Sequence, residues 1–302
     1  MSLSLEMIQV ARLARNQLGD STSLIQGFLN TQITSEGAFC DKTGAPDLYY
    51  TVFGIDCSRA LQMDLDVERL GRWLSGFKGC ERELDFVHLT SLARSLAFVA
   101  NDGLRHQLDS VCEAIRGYRL RDGSYRQSFD SDRSSVYATF LGVMALQDAG
   151  VMAEDELRET VVFLDKAVHP DGAYANEPKH GVVTTPATAA AVTLLRSAGR
   201  PIRPASFEWL LGRVYPQGGF FATESAPMPD LLSTAVALHA LADCPMPLGP
   251  LADLCLDYVD TLWTSKGGFF GNWAEDDVDV EYTFYGLLAL GHLDVITGAV
   301  SP

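Results

Sequence analysis

Basic residues are scarce in this sequence: 23 Lys and Arg stand against 39 Asp and Glu, a formal net charge of −16. A nucleic-acid partner needs a basic footprint that displaces counterions from phosphates, and none is visible. The same acidity argues against docking on an anionic membrane surface. No apolar run approaches the roughly 18 residues of a spanning helix. Residues 1–30 hold an amphipathic pattern with Arg12, Arg15 and Asp20, not the layout of a signal peptide. The six cysteines (Cys40, Cys57, Cys80, Cys112, Cys244 and Cys255) include no C-x-x-C pair. That argues against a zinc ribbon or a disulfide framework and suits reduced thiols in a cytoplasmic protein. Also missing are a G-x-S-x-G elbow, an H-E-x-x-H helix and a phosphate loop. Glycine and proline are spread along the chain without a linker-like stretch, so residues 1–302 read as one domain.

What is present is a repeat. A glycine followed closely by an aromatic residue recurs at Gly37-Ala38-Phe39, Gly123-Ser124-Tyr125, Gly172-Ala173-Tyr174, Gly218-Gly219-Phe220 and Gly267-Gly268-Phe269. A degraded copy stands at Gly79-Cys80-Glu81, and the six leading glycines lie 42 to 49 residues apart. Each unit has an amphipathic stretch before the glycine, a polar loop of about ten residues after it, and then a more apolar stretch. The second stretch is apolar nearly all round (Ala187 to Leu195 reads ATAAAVTLL), which marks a fully buried helix. Strand signals are too short to build a sheet. Alternating exposed and buried helices at a near-constant period predict two concentric rings: an all-α, (α/α)6 toroid of six helical hairpins, closed so that the termini lie close together. An open solenoid of helical pairs has the same helix content but lacks the glycine–aromatic element with its long loop. The glycine is expected to end the outer helix in a positive-φ conformation.

The glycine–aromatic element, polar loop and D-x-x-x-[ST] unit resemble the repeats of protein prenyltransferase β subunits and of squalene–hopene-type cyclases. The resemblance runs from about Gln26 to Leu293 and is strongest in GGFFATESAPMPDLLSTAVALHAL and GGFFGNWAEDDVDVEYTFYGLLAL. It implies the toroid fold and an isoprenoid ligand, a small-molecule partner held in a central cavity. It also implies a zinc site of Asp, Cys and His, but the positions that match those ligands are Asp230, Leu232 and Tyr282. Leucine cannot ligate and a neutral tyrosine is a poor substitute, so no zinc is expected. The cyclase D-x-D-D acid is absent, as are basic residues between Gly218 and Asp230. His180-Gly181 resembles the family's diphosphate-contacting histidine–glycine pair, and Arg133 with Tyr137 resembles an arginine–tyrosine pair of the third repeat in shifted register. A protein partner chain or self-association is a further family expectation.

Several residues then carry two readings. Asp47 and Asp230 each follow a proline and open an apolar helix, where an aspartate caps free N–H groups. They also stand on a rim where six helix N-termini would converge and favour an anion such as a diphosphate. The loop with Glu275, Asp276, Asp277, Asp279 and Glu281 is either solvated or a magnesium site, and magnesium would be needed if a diphosphate bound so acidic a protein. Tyr49, Tyr50, Tyr137, Tyr282, Phe284, Tyr285 and Trp273 line an isoprenoid cavity or simply pack between hairpins. His169, Lys179 and His180 form a small basic patch beside Arg133 or are ordinary surface residues. His88 and His239, within apolar helices, read as satisfied core histidines.

The candidate catalytic residues are therefore Asp230, Asp279 and Tyr282. The candidate binding residues are Asp47, Tyr49, Arg133, Tyr137, His180, Trp273 and Tyr285. An isoprenoid-binding protein of prenyltransferase or cyclase type is the leading expectation. A non-catalytic scaffold, or a glycan-acting barrel using a carboxylate pair, is the alternative.

Overall fold

The structure is a computed structural model that describes residues 2–99 and 102–298. Among these residues it contains thirteen α-helices, two short 3-10 turns and isolated β-bridges, with no extended strand. The inner ring comprises α3 (Leu48–Leu61), α5 (Phe86–Val99), α7 (Val136–Asp148), α9 (Thr185–Ser197), α11 (Leu231–Ala240) and α13 (Val280–Gly298). Each touches the next, and α13 touches α3, so the ring closes. The outer helices are α2 (Thr22–Thr31), α4 (Val67–Ser75), α6 (Asp102–Arg116), α8 (Glu154–Ala167), α10 (Pro204–Leu211) and α12 (Gly249–Asp260). Their charged faces meet water while the inner helices are buried on most sides, as the composition of the two kinds of stretch predicts.

The D-x-x-x-[ST] unit has a physical explanation. The first residue caps the inner helix, and the hydroxyl one turn later accepts the backbone N–H of the buried aromatic from the preceding loop. This bond is 3.0 Å for Phe39 to Thr51, 3.0 Å for Tyr125 to Thr139, 2.9 Å for Tyr174 to Thr188 and 2.9 Å for Phe220 to Thr234. The carbonyl of the same aromatic accepts from the capping residue's N–H, at 3.0 Å for Asp47 and 3.2 Å for Asp230. Both main-chain polar groups of a fully buried residue are thus satisfied by the next helix's first turn. The ring lies against a small residue three positions past the threonine. A Cβ on Gly54 would collide with Phe39, and one on Gly286 with Phe269. The second repeat departs from this scheme. It has Glu81 in place of the aromatic and Leu89 four residues past its Asp85 cap, and the neighbouring Thr90 turns its hydroxyl to the Phe86 and Val87 carbonyls of its own helix.

The repeat glycine does not end the outer helix. Gly267 stands seven residues beyond Asp260, in a turn where its N–H donates to the Thr264 carbonyl at 3.0 Å. Its φ is +82°, and a side chain there would strike the Leu24 backbone in α2. The glycine is needed because the sixth loop must lie directly on the first outer helix, which is how the outer layer closes. Gly218, with φ +96°, meets Leu254 of α12 in the same way.

The amphipathic N-terminal stretch forms two helices. The chain breaks at Gly19, φ +52°, separating α1 (Leu3–Leu18) from α2. Helix α1 packs on α13 and α3 and also touches α7 and α9. Its partners lie at the C-terminal ends of inner helices. The Leu3 N–H donates to Gln147 Oε1 at 3.0 Å, Arg15 donates to Gln62 at 2.6 Å, and Glu6 pairs with Arg196. Ala11 and Ala14 are fully buried, and Gly291 lets the Val10 carbonyl approach α13. Helix α1 therefore covers the C-terminal end of the bore. His239 behaves as the core histidine expected: its Nδ1 lies 2.9 Å from His292 Nε2, and its other nitrogen 3.2 Å from Arg196. Burial and the Arg196 charge lower the His292 pKa to about 3, and burial holds His239 well below its ordinary value.

Two outcomes are expected. Thr234→Val leaves the buried Phe220 N–H without an acceptor and should cost about 1–3 kcal/mol in urea denaturation. Thr90→Val, which orphans no aromatic N–H, should cost under about 1 kcal/mol. The second outcome concerns pH. The two buried histidines fold neutral but protonate in the unfolded chain, so their contribution is complete above the unfolded pKa near 6.5 and is lost as pH falls below it. His292→Gln should make the decline of stability between pH 6.5 and 5 shallower by up to about 1.4 kcal/mol per pH unit.

Candidate functional site

The inner-helix N-termini do converge on one rim, but their N–H groups are largely occupied. The third N–H of α11 goes to the Asp230 cap at 2.7 Å, and that of α13 to Asp279 at 2.8 Å. The first N–H of α7, α9 and α11 donates across to the next repeat's loop, at the carbonyls of Asn176, Ala222 and Gly271, each at 2.8 Å. The second N–H of α7, on Tyr137, goes to Asn176 Oδ1 at 2.9 Å, and α9 carries Pro186 there, which has none. The anion site expected from converging helix dipoles is thus used to hold neighbouring repeats together.

The second residue past each cap forms a half-buried layer around the bore: Tyr49, Val87, Tyr137, Pro186, Leu232 and Glu281. One turn deeper, Phe53, Leu141, Val236 and Tyr285 are half-buried on the same helix faces. Glu281 is the one ionisable carboxyl in this layer. The Tyr49 hydroxyl donates to Glu281 Oε1 at 2.6 Å. Tyr49 meets Phe53 edge-on at 5.0 Å between centroids, and Phe53 contacts Phe284 and Tyr285 at 5.7 and 5.6 Å. Tyr137 neighbours Tyr49 and Glu281, and burial among these rings raises the tyrosine pKa values. Burial also dominates at Glu281 and pushes its carboxyl up to about 7, with Asp279 adding repulsion and Tyr49 partly offsetting both. A pKa near 7 leaves both its neutral and its ionised form accessible near neutral pH, inside an aromatic wall.

Around this centre lie charged groups already committed to partners. Lys42, from the first loop, bridges Glu275 at 3.1 Å and Asp279 at 3.3 Å and lies over the Tyr282 ring at 5.7 Å. His88 sits between Asp85 at 2.9 Å and Asp47 at 3.2 Å. It is a half-exposed rim residue rather than a core histidine, because it occupies the first turn of α5. The two carboxylates hold its pKa above the ordinary value against the opposing effect of burial.

The site residues read from sequence therefore divide. Tyr49, Tyr137 and Tyr285 come together with Glu281, and Asp47, Asp279 and Tyr282 stand at the rim beside them. Asp230 is a cap: its oxygens take the Ser233 N–H at 2.7 Å and the Ser233 hydroxyl at 2.8 Å. Trp273 leaves the bore and packs on Tyr215 and Tyr258, its indole donating to Thr261 at the outer-helix end. Arg133 and His180 precede their helix caps and line a separate lateral cavity with His169 and Lys179. Glu281 was named only within the acidic loop read as solvated or magnesium-binding, and Phe53 not at all, although counting two and six positions past each cap finds both. The acidic loop splits as well. Asp276 and Asp277 are solvated, whereas Asp279 is buried and Glu281 half-buried.

A match to the prenyltransferase alpha-alpha toroid domain spans residues 65–222 and 190–299. The chain belongs to this family. No curated protein matches it in sequence. Among solved structures, a type II terpene cyclase from Scytonema, in complex with geranylgeranyl dihydroxybenzoate, superposes with a TM-score of 0.63 at 12% identity, over 94% of this chain and 98% of that one. The GH76A α-1,6-mannanase from Salegentibacter gives 0.60 at 13% identity, over 95% and 99%. Candida albicans protein geranylgeranyltransferase-I complexed with GGPP gives 0.53 at 16%, over 70% and 71%. These likenesses show a toroid shared by prenyltransferases, terpene cyclases and glycan-acting enzymes. The family's zinc does not fit the residues of this toroid. Both Asp230 oxygens are engaged by Ser233, Leu232 offers no donor atom, and burial holds the Tyr282 phenol neutral.

Proposed function

We propose that this toroid takes an uncharged isoprenoid-type chain into the mouth of its bore and that Glu281 moves a proton there. The observation that carries this reading is the placement of a single carboxyl, its pKa raised by burial, among Tyr49, Phe53, Tyr137 and Tyr285. Apolar carbon would lie on the rings, whose faces also stabilise positive charge developing on a polyene. Glu281 would hold the proton on one carboxyl oxygen, with Tyr49 fixing the other. A general acid or base works best with a pKa near the working pH, and burial supplies that here.

A diphosphate head suits this mouth poorly. Several of the helix N–H groups are taken by caps and by cross-repeat bonds, and the rim's lysine, Lys42, is held by Glu275 and Asp279. Lys42 also takes the place between those carboxylates that a magnesium ion would need, so we assign no magnesium to the bore.

The test is incubation in D2O with geranylgeraniol, with geranylgeranyl diphosphate and, as a glycan, with α-1,6-mannan. Deuterium incorporated into the alcohol by wild type and lost in Glu281→Gln is the expected result. Tyr49→Phe removes a donor that favours the ionised carboxyl, so the pH at which activity falls should move up by about one pH unit. Glu281-dependent turnover of mannan alone would replace the isoprenoid with a glycan. Binding of the diphosphate alone would overturn the assignment of an uncharged ligand.

A further inference from the structure

The bore makes no use of the basic residues of the third and fourth repeats. They line a cavity of about 800 Å³ outside the inner ring, between the C-terminal end of α8 and the loops that lead into α7 and α9. Its wall is largely apolar. Phe163 and Ala175 are buried beneath it, Val168 and Val183 are half-buried, and Val182 stands at the mouth with 72% of its surface exposed.

The charges in this cavity are unevenly committed. Asp122 accepts from the Ser124 and Ser134 hydroxyls at 2.6 and 2.8 Å. Glu177 takes Arg133 at 2.9 Å, and Asp132 faces Arg126 at 3.5 Å. Every carboxylate lining the cavity thus has a partner. Lys166 and Lys179 line the same cavity and enter no ion pair among the described residues. Two uncommitted ammonium groups beside an exposed valine and a buried phenylalanine, in a chain of net charge −16, form a wall with one anionic demand and one apolar demand.

We propose that this lateral cavity is a second binding site, for an amphiphilic anion. An alkyl or isoprenyl tail lies on Phe163, Val168, Val182 and Val183, and a carboxylate or phosphate head meets Lys166 and Lys179. The tail supplies most of the affinity by burying its methylenes, and the ammonium pair selects the head. The site is separate from the bore and stands whether or not the reading of Glu281 holds.

The test is calorimetric titration of the full chain with dodecyl phosphate, dodecanoate, dodecanol and inorganic phosphate. Wild type, the double variant Lys166→Glu/Lys179→Glu and the mouth variant Val182→Asp are compared, with circular dichroism verifying that each is folded. All three positions are exposed, so the fold should be unaffected. Dodecyl phosphate or dodecanoate should bind wild type with an affinity that falls at least ten-fold in both variants, and whichever binds more tightly names the head. Dodecanol and inorganic phosphate should bind at least ten-fold more weakly than the better amphiphile. Absence of binding by both amphiphiles would overturn the proposal. So would equal affinity in wild type and variants, or a head group that binds as well alone as with its tail.

Discussion

The hydrogen bond from a buried aromatic's backbone N–H to a threonine hydroxyl is the contact on which the toroid depends. It recurs at Thr51, Thr139, Thr188 and Thr234, with lengths of 2.9 to 3.0 Å. Without it, the loop could not carry a polar backbone group under the next helix, because a buried unsatisfied N–H costs about 1–3 kcal/mol. With it, the aromatic ring is fixed on the inner helix and the cap is fixed at the rim. The glycine turn then sets that loop against the next outer helix. Gly267 on Leu24 completes the circuit between the sixth repeat and the first.

The same arrangement determines what the rim can do chemically. Helix N-termini in a closed ring would make a strong anion site if their N–H groups were free. Here many of them are taken, by caps and by cross-repeat bonds from α7, α9 and α11 to Asn176, Ala222 and Gly271. Six cap positions at one height also fix which side chains enter the bore, since the second residue past each cap points inward. Five of those six cannot ionise in the ordinary pH range, which leaves Glu281 as a single carboxyl whose solvation is replaced by rings. Its raised pKa follows from that placement and needs no metal or second charge as the principal cause. Helix α1 covers the other end of the bore, which leaves the rim as its open end.

Much of the fold was legible because the hairpin period and the glycine–aromatic spacing are one-dimensional features. The six hairpins, ring closure and the burial of the inner set follow from them. The break at Gly19 was not legible: an amphipathic stretch of thirty residues looks continuous, and only the need to cross the C-terminal end of the bore divides it. The role of the repeat glycine was misplaced for a related reason. Its positive φ was correctly expected, but the backbone it abuts belongs to another repeat. At the site, Tyr49, Tyr137 and Tyr285 were found as aromatics near helix starts. Arg133 and His180 were grouped with them on their resemblance to family residues, yet both stand upstream of a cap and line the lateral cavity instead. Glu281 was hidden in a run of five acidic residues, and charge alone could not separate the one that faces the bore from those that face water. Register from the cap does so.

The most direct measurement is an infrared titration of the protonated carboxyl stretch, wild type against Glu281→Gln. A band that disappears as the pH rises through about 7 in wild type and is missing from the variant is the result this account requires. A wild-type spectrum without a carboxyl titrating between pH 6 and 8, or a band that persists in the variant, would show that Glu281 is not the group that titrates there. The bore would then lack its proton-bearing group.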